Sequence, residues 1–210
     1  MSWNSQSTTT LKVGAGIPVW AVLPERRIAG GKVLNTLVLG EKVSAGTPLA
    51  FDYTTKEVKL LKCWKIKTST VSDTNTIVVL EKTFLTPKLT AGAFVMVMPS
   101  TMTSTGKATA AGTITETDTE ITLTFVTANM DALTVGLFLV ESSASAAGST
   151  KSLYCQPTNL LMEDIIAGDY NQAGVPRGMK YIFENCIPFI PSVVKANIAY
   201  VEWEYFNQTT

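Results

Sequence analysis

Three copies of one short phrase are the most informative part of this chain: VSAGTPL at residues 43–49, LTAGAFV at residues 89–95 and LTVGLFL at residues 133–139. The glycines of the phrase are Gly46, Gly92 and Gly136. They lie 46 and then 44 residues apart, and a recurrence of this length can determine the architecture of a protein. We predict that each glycine is a structural turn residue before a strand, with a positive φ or a bulge.

The second and third copies also share the segments that precede them. TVSDT at residues 70–74 matches TITET at residues 113–117, and a run rich in β-branched residues follows each. A unit of about 44 residues therefore consists of a strand, a polar turn, a strand, a loop, the glycine and a further strand. Thr, Val and Ile oppose helix, and no apolar period of 3.6 residues is sustained. We predict an all-β fold with less than about a fifth of the residues in helix.

The composition is that of a folded protein with few charges. Of the 210 residues 46% are hydrophobic and 16% are charged, against roughly 25% charged in an ordinary globular domain. Low charge density indicates that another chain covers part of the surface, and the alternative is a surface in which Thr and Ser replace charged residues. The 17 basic and 17 acidic residues give zero net charge. This argues against nucleic acid as a partner, because phosphate binding needs a basic face.

The residue types of common catalytic and metal sites are missing or badly spaced. The chain has no His, which excludes an imidazole base, a His-based triad and an imidazole metal ligand. Cys63, Cys155 and Cys186 are too far apart for a CxxC site and are expected to be small buried hydrophobes. The repeated glycines lack the Lys and the following helix of a phosphate loop. We predict a protein that is not an enzyme, with no cofactor, no metal site and no catalytic residue.

The remaining candidate side chains are interpreted as solvated or packed. Glu202 and Glu204 share a strand face and lie close enough to raise one pKa. A carboxylate pair can act on a glycoside, but a solvated strand face is the simpler interpretation. The same holds for Glu163 and Asp164. The tryptophans are expected in core or interface packing. They are Trp3, Trp20, Trp64 and Trp203.

The N-terminal residues carry no targeting signal. Residues 1–10 are polar and lack the charged and apolar regions of a signal peptide. No run of about 18 apolar residues occurs, so no transmembrane helix and no membrane partner are expected. We expect synthesis in the cytoplasm. The Ser/Thr-rich residues 1–10 are predicted to be a flexible N-terminal arm.

Changes in composition along the chain suggest a nested layout. Residues 11–62 and 151–210 are predicted to form one discontinuous base β domain that is barrel-like. Residues 63–150 are predicted to form an inserted β domain, a sandwich or barrel built from two related β units. The Ser/Ala-rich segment 142–149 supports a boundary at its end, while no matching break occurs at residues 62–67. Three tandem modules followed by a tail are the alternative layout.

The C-terminal segment predicts a strand over residues 198–206. Val201, Trp203 and Tyr205 fall on one face of this strand, and two glutamates fall on the other. A hydrophobic strand near a chain end aggregates unless it is paired or covered. We predict that these three residues form an oligomer interface in a closed, symmetric homo-oligomer.

Four short stretches resemble one protein family. VSAGTPLAFD at residues 43–52, PTNLLMED at residues 157–164, VPRG at residues 175–178 and IPFIPSVVK at residues 187–195 are similar to phrases of tailed-phage head decoration and head-fibre proteins. The resemblance covers the two base segments and leaves the inserted segment unassigned. It implies a β-barrel base and a homotrimer seated on the phage capsid protein. It also implies a virion location after synthesis in the host cytoplasm, and it supplies no catalytic residue.

Two functions of different classes follow. The first is a structural virion component, a capsid decoration or head-fibre subunit that binds the phage head surface as an oligomer. The alternative is a carbohydrate-binding or adhesin-like β module, in which exposed aromatic residues of the segment 63–150 bind a host surface glycan. A stable trimer without a ligand favours the first function, and glycan binding by that segment favours the second.

Overall fold

The computed structural model shows a chain built almost entirely from strands. The residues that it describes are 12–13, 17–22, 25–26, 30–168, 171–177 and 180–205. Strands make up 42% of the structure and helices 7%, which confirms the predicted all-β fold with little helix. The predicted N-terminal arm at residues 1–10 lies outside the described residues.

The strands are short, and turns separate most of them. The first eleven are β1 (Lys12–Val13), β2 (Ile17–Pro18), β3 (Trp20–Val22), β4 (Glu25–Arg26), β5 (Gly31–Val33), β6 (Lys42–Val43), β7 (Pro48–Phe51), β8 (Glu57–Leu60), β9 (Cys63–Val71), β10 (Asn75–Glu81) and β11 (Phe94–Val97). The next eleven are β12 (Gly106–Ala110), β13 (Ile114–Glu116), β14 (Glu120–Val126), β15 (Phe138–Glu141), β16 (Ser149–Lys151), β17 (Asn159–Leu160), β18 (Ile165–Ile166), β19 (Gln172–Ala173), β20 (Pro176–Arg177), β21 (Lys180–Phe183) and β22 (Val201–Glu204). The helical residues are α1 (Ser192–Asn197) and two 3₁₀ turns, Thr127–Asn129 and Glu184–Cys186.

The part that we call the base joins the two ends of the chain. Its largest sheet has five strands in the order β17–β7–β8–β5–β19, in which β5 and β8 are parallel and the other pairs are antiparallel. Smaller sheets pair β6 with β18, β4 with β20, and β21 with both β3 and β22. In all four sheets, strands up to Leu60 pair with strands from Asn159 onward. The two chain ends therefore form one discontinuous unit.

The residues between these ends form a sheet of their own, which we call the insert. Its eight strands run in the order β13–β14–β10–β9–β15–β11–β12–β16, and neighbouring strands are antiparallel. The long strand β9 pairs with β15 near Cys63 and with β10 towards Val71, so it links the two halves of the sheet. Val78 and Leu80 of β10 and Leu123 of β14 are buried, and the intervening residues are more exposed. This alternation gives the sheet one inner face.

The two related β units of the insert pair with each other. Residues 70–74 span the end of β9 and its turn into β10, and residues 113–117 span β13 and the start of its turn into β14. β10 pairs antiparallel with β14, and β11 pairs antiparallel with β15. Equivalent strands that pair antiparallel are related by a local two-fold axis. The repeat is therefore a two-fold arrangement of two units, and the first copy of the glycine phrase lies apart from it in the base.

Three groups of buried apolar side chains fill the interior. The insert core lies inside the eight-stranded sheet and includes Trp64 and Leu123. The base core lies within the base and includes Leu49 and Val58. A third group, which we call the shared core, contains residues of both parts.

The shared core spans the base and the insert, so hydrophobic packing shows no boundary between them. Met96 and Val140 of the insert belong to the same buried group as Trp20, Leu61 and Ile182 of the base. Burial of apolar surface contributes about 25 cal/mol per Å². The strand pairing therefore separates two parts that hydrophobic packing holds together.

The C-terminal segment differs from its predicted form. The sequence predicts one strand over residues 198–206, whereas α1 continues to Asn197 and buried Ile198 follows it. Tyr200, with a φ of 58°, turns the chain, and only Val201–Glu204 forms a strand. A helix of six residues is too short for an apolar period, which explains why the sequence pattern does not reveal it.

Candidate functional site

The three repeated glycines share one turn geometry. Their φ values are 83°, 84° and 86°, and a strand begins two residues after each. In each turn an amide donates to the carbonyl three residues earlier, and the glycine is the third residue, as in a type II turn. The bonds run from Thr47 to Ser44, from Ala93 to Thr90 and from Leu137 to Thr134, at 3.2, 3.0 and 3.1 Å. This is the backbone geometry that the repeated phrase predicts.

Of the three glycines, Gly46 is the one enclosed by other segments. A Cβ at this position would lie 2.3 Å from Cγ2 of Ile187, whereas a Cβ at Gly92 or Gly136 would meet no atom within 4 Å. The Gly46 amide also donates to the carbonyl of Leu161 at 2.7 Å. Glycine is needed at this position for its φ and for the close approach of Ile187.

The segments that carry the family resemblance meet around Gly46. The neighbouring Ala45 amide donates to Oδ1 of Asp164 at 2.8 Å, and the same carboxylate forms an ion pair with the lysine of β6 at 2.8 Å. Strand β17 pairs with β7, which follows the glycine. The first phrase, the segment 157–164 and the segment 187–195 are thus one packed unit, held by hydrogen bonds and by Ile187.

A buried polar cluster lies where the base meets the insert, and it consists of Asn35, Glu41, Lys62 and Glu141. The Lys62 ammonium lies 2.6 Å from Oε1 of Glu41, and the two side chains are 4% and 0% exposed. Asn35 donates to the Leu60 carbonyl at 3.0 Å and accepts from the Leu60 amide at 2.7 Å. Oε2 of Glu141 accepts from Asn35 at 3.2 Å and from the Lys62 amide at 3.3 Å. The cluster therefore ties β15 of the insert to the base.

The cluster contains one cation and two carboxylates, and this sets its electrostatics. Burial raises the pKa of Glu141, and repulsion from Glu41 adds to this effect, while the charge and the amide of Lys62 oppose it. Glu141 therefore takes up a proton at a higher pH than an ordinary glutamate. Lys62 is 21 residues from Glu41 and 79 residues from Glu141 in the sequence, and no motif links these three residues.

The predicted oligomer interface is partly covered by its own chain. Val201 and Trp203 pack against the shared core, and the Lys195 ammonium on α1 lies 5.3 Å from the centre of the Trp203 ring. Helix α1 thus meets part of the face that the sequence assigns to a partner. Tyr205, by contrast, is 69% exposed. β22 pairs with β21 on one side, and the described residues provide no strand at its other edge.

Tyr205 lines a groove between the insert and the C-terminal segment, which we call the aromatic groove. Its volume is about 390 Å³, and its aromatic lining consists of Phe84, Phe138, Phe189 and Tyr205. Phe84 is 62% exposed, and the Lys65 ammonium lies 5.3 Å from the centre of the Phe189 ring. Aromatic residues are enriched at the centres of protein interfaces, so this groove extends the predicted interface beyond the terminal strand.

The other sequence candidates have structural roles or face solvent. Glu202 and Glu204 are exposed on β22, as expected of a solvated strand face. Trp20 and Trp64 are buried, and their indole N–H groups donate to main-chain carbonyls at 2.7 and 2.8 Å. These two tryptophans are therefore core residues with a satisfied polar atom. Trp3 lies outside the described residues.

The three cysteines are buried thiols. Burial raises the pKa of Cys63 well above its usual range and that of Cys155 to about 12. Such thiols are protonated and poorly nucleophilic at neutral pH. Within the described ranges, no group of three or more His, Cys, Asp and Glu residues could hold a metal ion.

Comparison with known proteins identifies no relative of this chain: no protein-family model, no curated protein and no solved structure matches it. No helix in the described part of the chain is long and apolar enough to span a membrane. The function is therefore inferred from the fold, its surfaces and the resemblance in sequence.

Proposed function

We propose that this chain is a structural virion component, a capsid decoration or head-fibre subunit that binds the head of a tailed phage as an oligomer. The observation that carries the proposal is the meeting of three of the four resembling segments around Gly46. Phrases that matched by composition alone would have no reason to lie together. Here the turn at Gly46, the Leu161 carbonyl and the Ile187 side chain are in direct contact.

The rigid attachment of the insert to the base is consistent with this function. A decoration subunit needs one part that binds the head and another that is held in a constant orientation on it. The shared core and the polar cluster both cross from base to insert. Two independent kinds of contact therefore resist movement of one part against the other.

The proposed oligomer is a homotrimer that covers the aromatic groove and the outer edge of β22. An uncovered strand edge beside exposed aromatic residues promotes uncontrolled association. Phe84 and Tyr205 line the aromatic groove, Tyr205 directly follows β22, and Tyr200, which precedes β22, is 76% exposed. Three-fold symmetry comes from the family resemblance. The capsid protein of the phage is the second partner.

The first test is the mass of the native chain in solution, measured by light scattering at micromolar concentration. We expect three times 22.6 kDa. Phe84→Glu places a charge in the aromatic groove and should give monomers. Val71→Glu is the matched control, because Val71 is 59% exposed and lies outside the groove. A native chain that stays monomeric contradicts the proposed trimer.

The second test is co-sedimentation with empty heads assembled from the major capsid protein of the same genome. The native chain and Val71→Glu should sediment with the heads at a constant ratio. Phe84→Glu should bind more weakly, because it loses the multivalency of the trimer. A trimer that stays in the supernatant would overturn the capsid-decoration function.

A further inference from the structure

We infer that the base carries a site for a neutral, pyranose-containing glycan, formed around Tyr53 and Tyr154. Such a site goes beyond a structural role on the phage head. It also lies outside the insert, where the sequence suggests aromatic residues for glycan binding. Within the described part of the insert, Phe84 is the one aromatic side chain that is strongly exposed.

The site is a shallow groove beside the hairpin formed by β7 and β8, and we call it the tyrosine groove. Its volume is about 670 Å³, which lies in the range of ligand sites. Ala50 of β7 contributes a small side chain, and the side chains of Tyr53 and Tyr154 also line the groove. The groove therefore combines open space with two aromatic rings.

The Tyr53 ring is both exposed and supported. It is 57% exposed, and the Phe51 ring meets it edge to face, with 5.1 Å between the ring centres and 77° between the planes. The Lys56 ammonium lies 6.0 Å from the centre of the Phe51 ring. An aromatic ring that is supported in this way offers one face to the C–H face of a pyranose. Tyrosine suits the task because it joins an apolar face to a polar hydroxyl.

The turn that presents Tyr53 is ordered before any ligand binds. Oδ1 of Asp52 accepts from the amides of Thr54 and Thr55 at 2.7 and 3.1 Å. The Lys56 ammonium donates to the Tyr53 carbonyl. Lys56 itself has a positive φ of 59°, a strained conformation for a residue with a side chain. Preorganisation of this kind lowers the entropic cost of binding a weak ligand.

The polar residues of the groove favour neutral sugars. Asp52, Glu57, Lys59 and Gln156 supply carboxylates, an ammonium and an amide that can bind hydroxyl groups. Amide hydrogen bonds lower the pKa of Asp52, so its carboxylate remains an acceptor in mildly acidic solution. The Lys56 ammonium of the same turn adds a second cation, so the two carboxylates and two ammonium groups leave no net charge. An acidic sugar would therefore gain no net attraction, whereas a neutral pyranose needs none.

The test is saturation-transfer NMR on the full chain with the methyl glycosides of glucose, galactose and N-acetylglucosamine at millimolar concentration. N-acetylneuraminic acid is the charged comparison. We expect a signal from at least one neutral sugar and none from N-acetylneuraminic acid. Tyr53→Ala should lose the signal. Val71→Ala, which removes a similarly exposed side chain outside both grooves, should retain it.

Two further measurements separate loss of the sugar site from loss of folding. The thermal midpoint of Tyr53→Ala should equal that of the native chain, and Gln156→Ala, which leaves both rings intact, should weaken the signal several-fold. No signal from any neutral sugar, or an undiminished signal in Tyr53→Ala, would overturn the inference. A stronger signal from N-acetylneuraminic acid would overturn the assignment to neutral glycans. The readout does not depend on head binding, so it fails or succeeds separately from the capsid function.

Discussion

Gly46 and Lys62 illustrate two ways in which single residues determine this structure. Gly46 has a positive φ and no room for a side chain beside Ile187. Lys62 neutralises Glu41, which is fully buried. Gly46 avoids a steric overlap with Ile187, and Lys62 avoids an unpaired buried charge on Glu41.

The repeated glycines should differ in their sensitivity to alanine. Gly92→Ala should lower the free energy of unfolding by about 1–2 kcal/mol, because its φ is positive but its surroundings are open. Gly46→Ala should lose more than about 3 kcal/mol, because its Cβ also overlaps Ile187. Gly168→Ala is the control, with no neighbouring atom within 4 Å, and should change stability by less than about 0.5 kcal/mol. Urea unfolding measures all three, and equal losses at Gly46 and Gly92 would contradict the enclosed turn.

The buried ion pair should respond to mutation much more strongly than an exposed one. Lys62→Met leaves Glu41 buried without a cation and should cost about 3–5 kcal/mol. Lys67→Met is a matched control, because Lys67 lies 2.6 Å from Glu120 but both side chains are well exposed. That variant should cost less than about 1 kcal/mol. Similar losses in the two variants would show that the polar cluster is open to water.

Glu141 should make the stability depend on pH in a defined direction. Its pKa is raised above the usual 4.5 in the folded chain, so its contribution is fully present below that pH and is lost as pH rises through the folded value. Glu141→Gln keeps an acceptor oxygen but has no carboxylate to ionise. The loss of stability with rising pH that Glu141 causes should therefore disappear in this variant. The variant should be more stable than the native chain at neutral pH. Urea unfolding across the pH range should show that this gain shrinks towards acid, and a gain that is constant with pH would refute the assignment.

The strands and the single helix show where local patterns describe this protein well and where they fail. β10 and β14 are strands, as their β-branched runs predict, and their burial alternates because two neighbours on a strand point to opposite faces. The C-terminal strand is shorter than its apolar pattern, because the chain turns at Tyr200, which has a φ of 58°, before β22 begins. An alternating pattern therefore does not reveal a turn that interrupts it.

The inner face of β14 should dominate its contribution to stability. Leu123 is completely buried opposite Val78, and the next residue, Thr124, lies opposite Ile77, which is 44% exposed. Leu123→Ala should lower the free energy of unfolding by about 2–5 kcal/mol. Thr124→Ala should lower it by less than about 1 kcal/mol. Chemical denaturation distinguishes the two, and the reverse order would mean that the strand is shifted by one residue.

Strand pairing divides the whole molecule into two parts, but hydrophobic packing does not. Strand pairing separates the base from the insert at Leu60 and Asn159. Hydrophobic packing joins them, since the shared core contains Met96 and Val140 beside Leu61. The insert therefore has its own sheet but not a complete core of its own.

An excised insert, residues 63–151, should consequently fail to fold cooperatively. Removal of the base exposes Met96, Val140 and the other insert residues of the shared core. We expect strong binding of a hydrophobic dye and a broad thermal transition, compared with a sharp transition for the full chain. A fragment with a sharp transition and no dye binding would show that the insert is an autonomous domain.

Much of the fold can be predicted from the sequence, and less of the candidate sites. The turn at Gly92 and the strand character of β10 and β14 follow from the repeat, because they depend on neighbouring residues. The oligomer interface on the terminal strand stays a prediction. Tyr205 is exposed, but Trp203 packs inward, and the groove residue Phe84 is more than a hundred positions away along the chain. No periodicity connects such distant residues.

The sequence by itself determined the all-β class and the turn glycines, because φ preferences and β propensity are properties of adjacent residues. Tertiary structure alone decided that Lys62 lies between Glu41 and Glu141, that α1 meets Trp203, and that the insert shares a core with the base. These features depend on which distant segments touch. Contacts of that kind follow from the packing of the complete chain, which minimises exposed apolar surface and unpaired buried charge together.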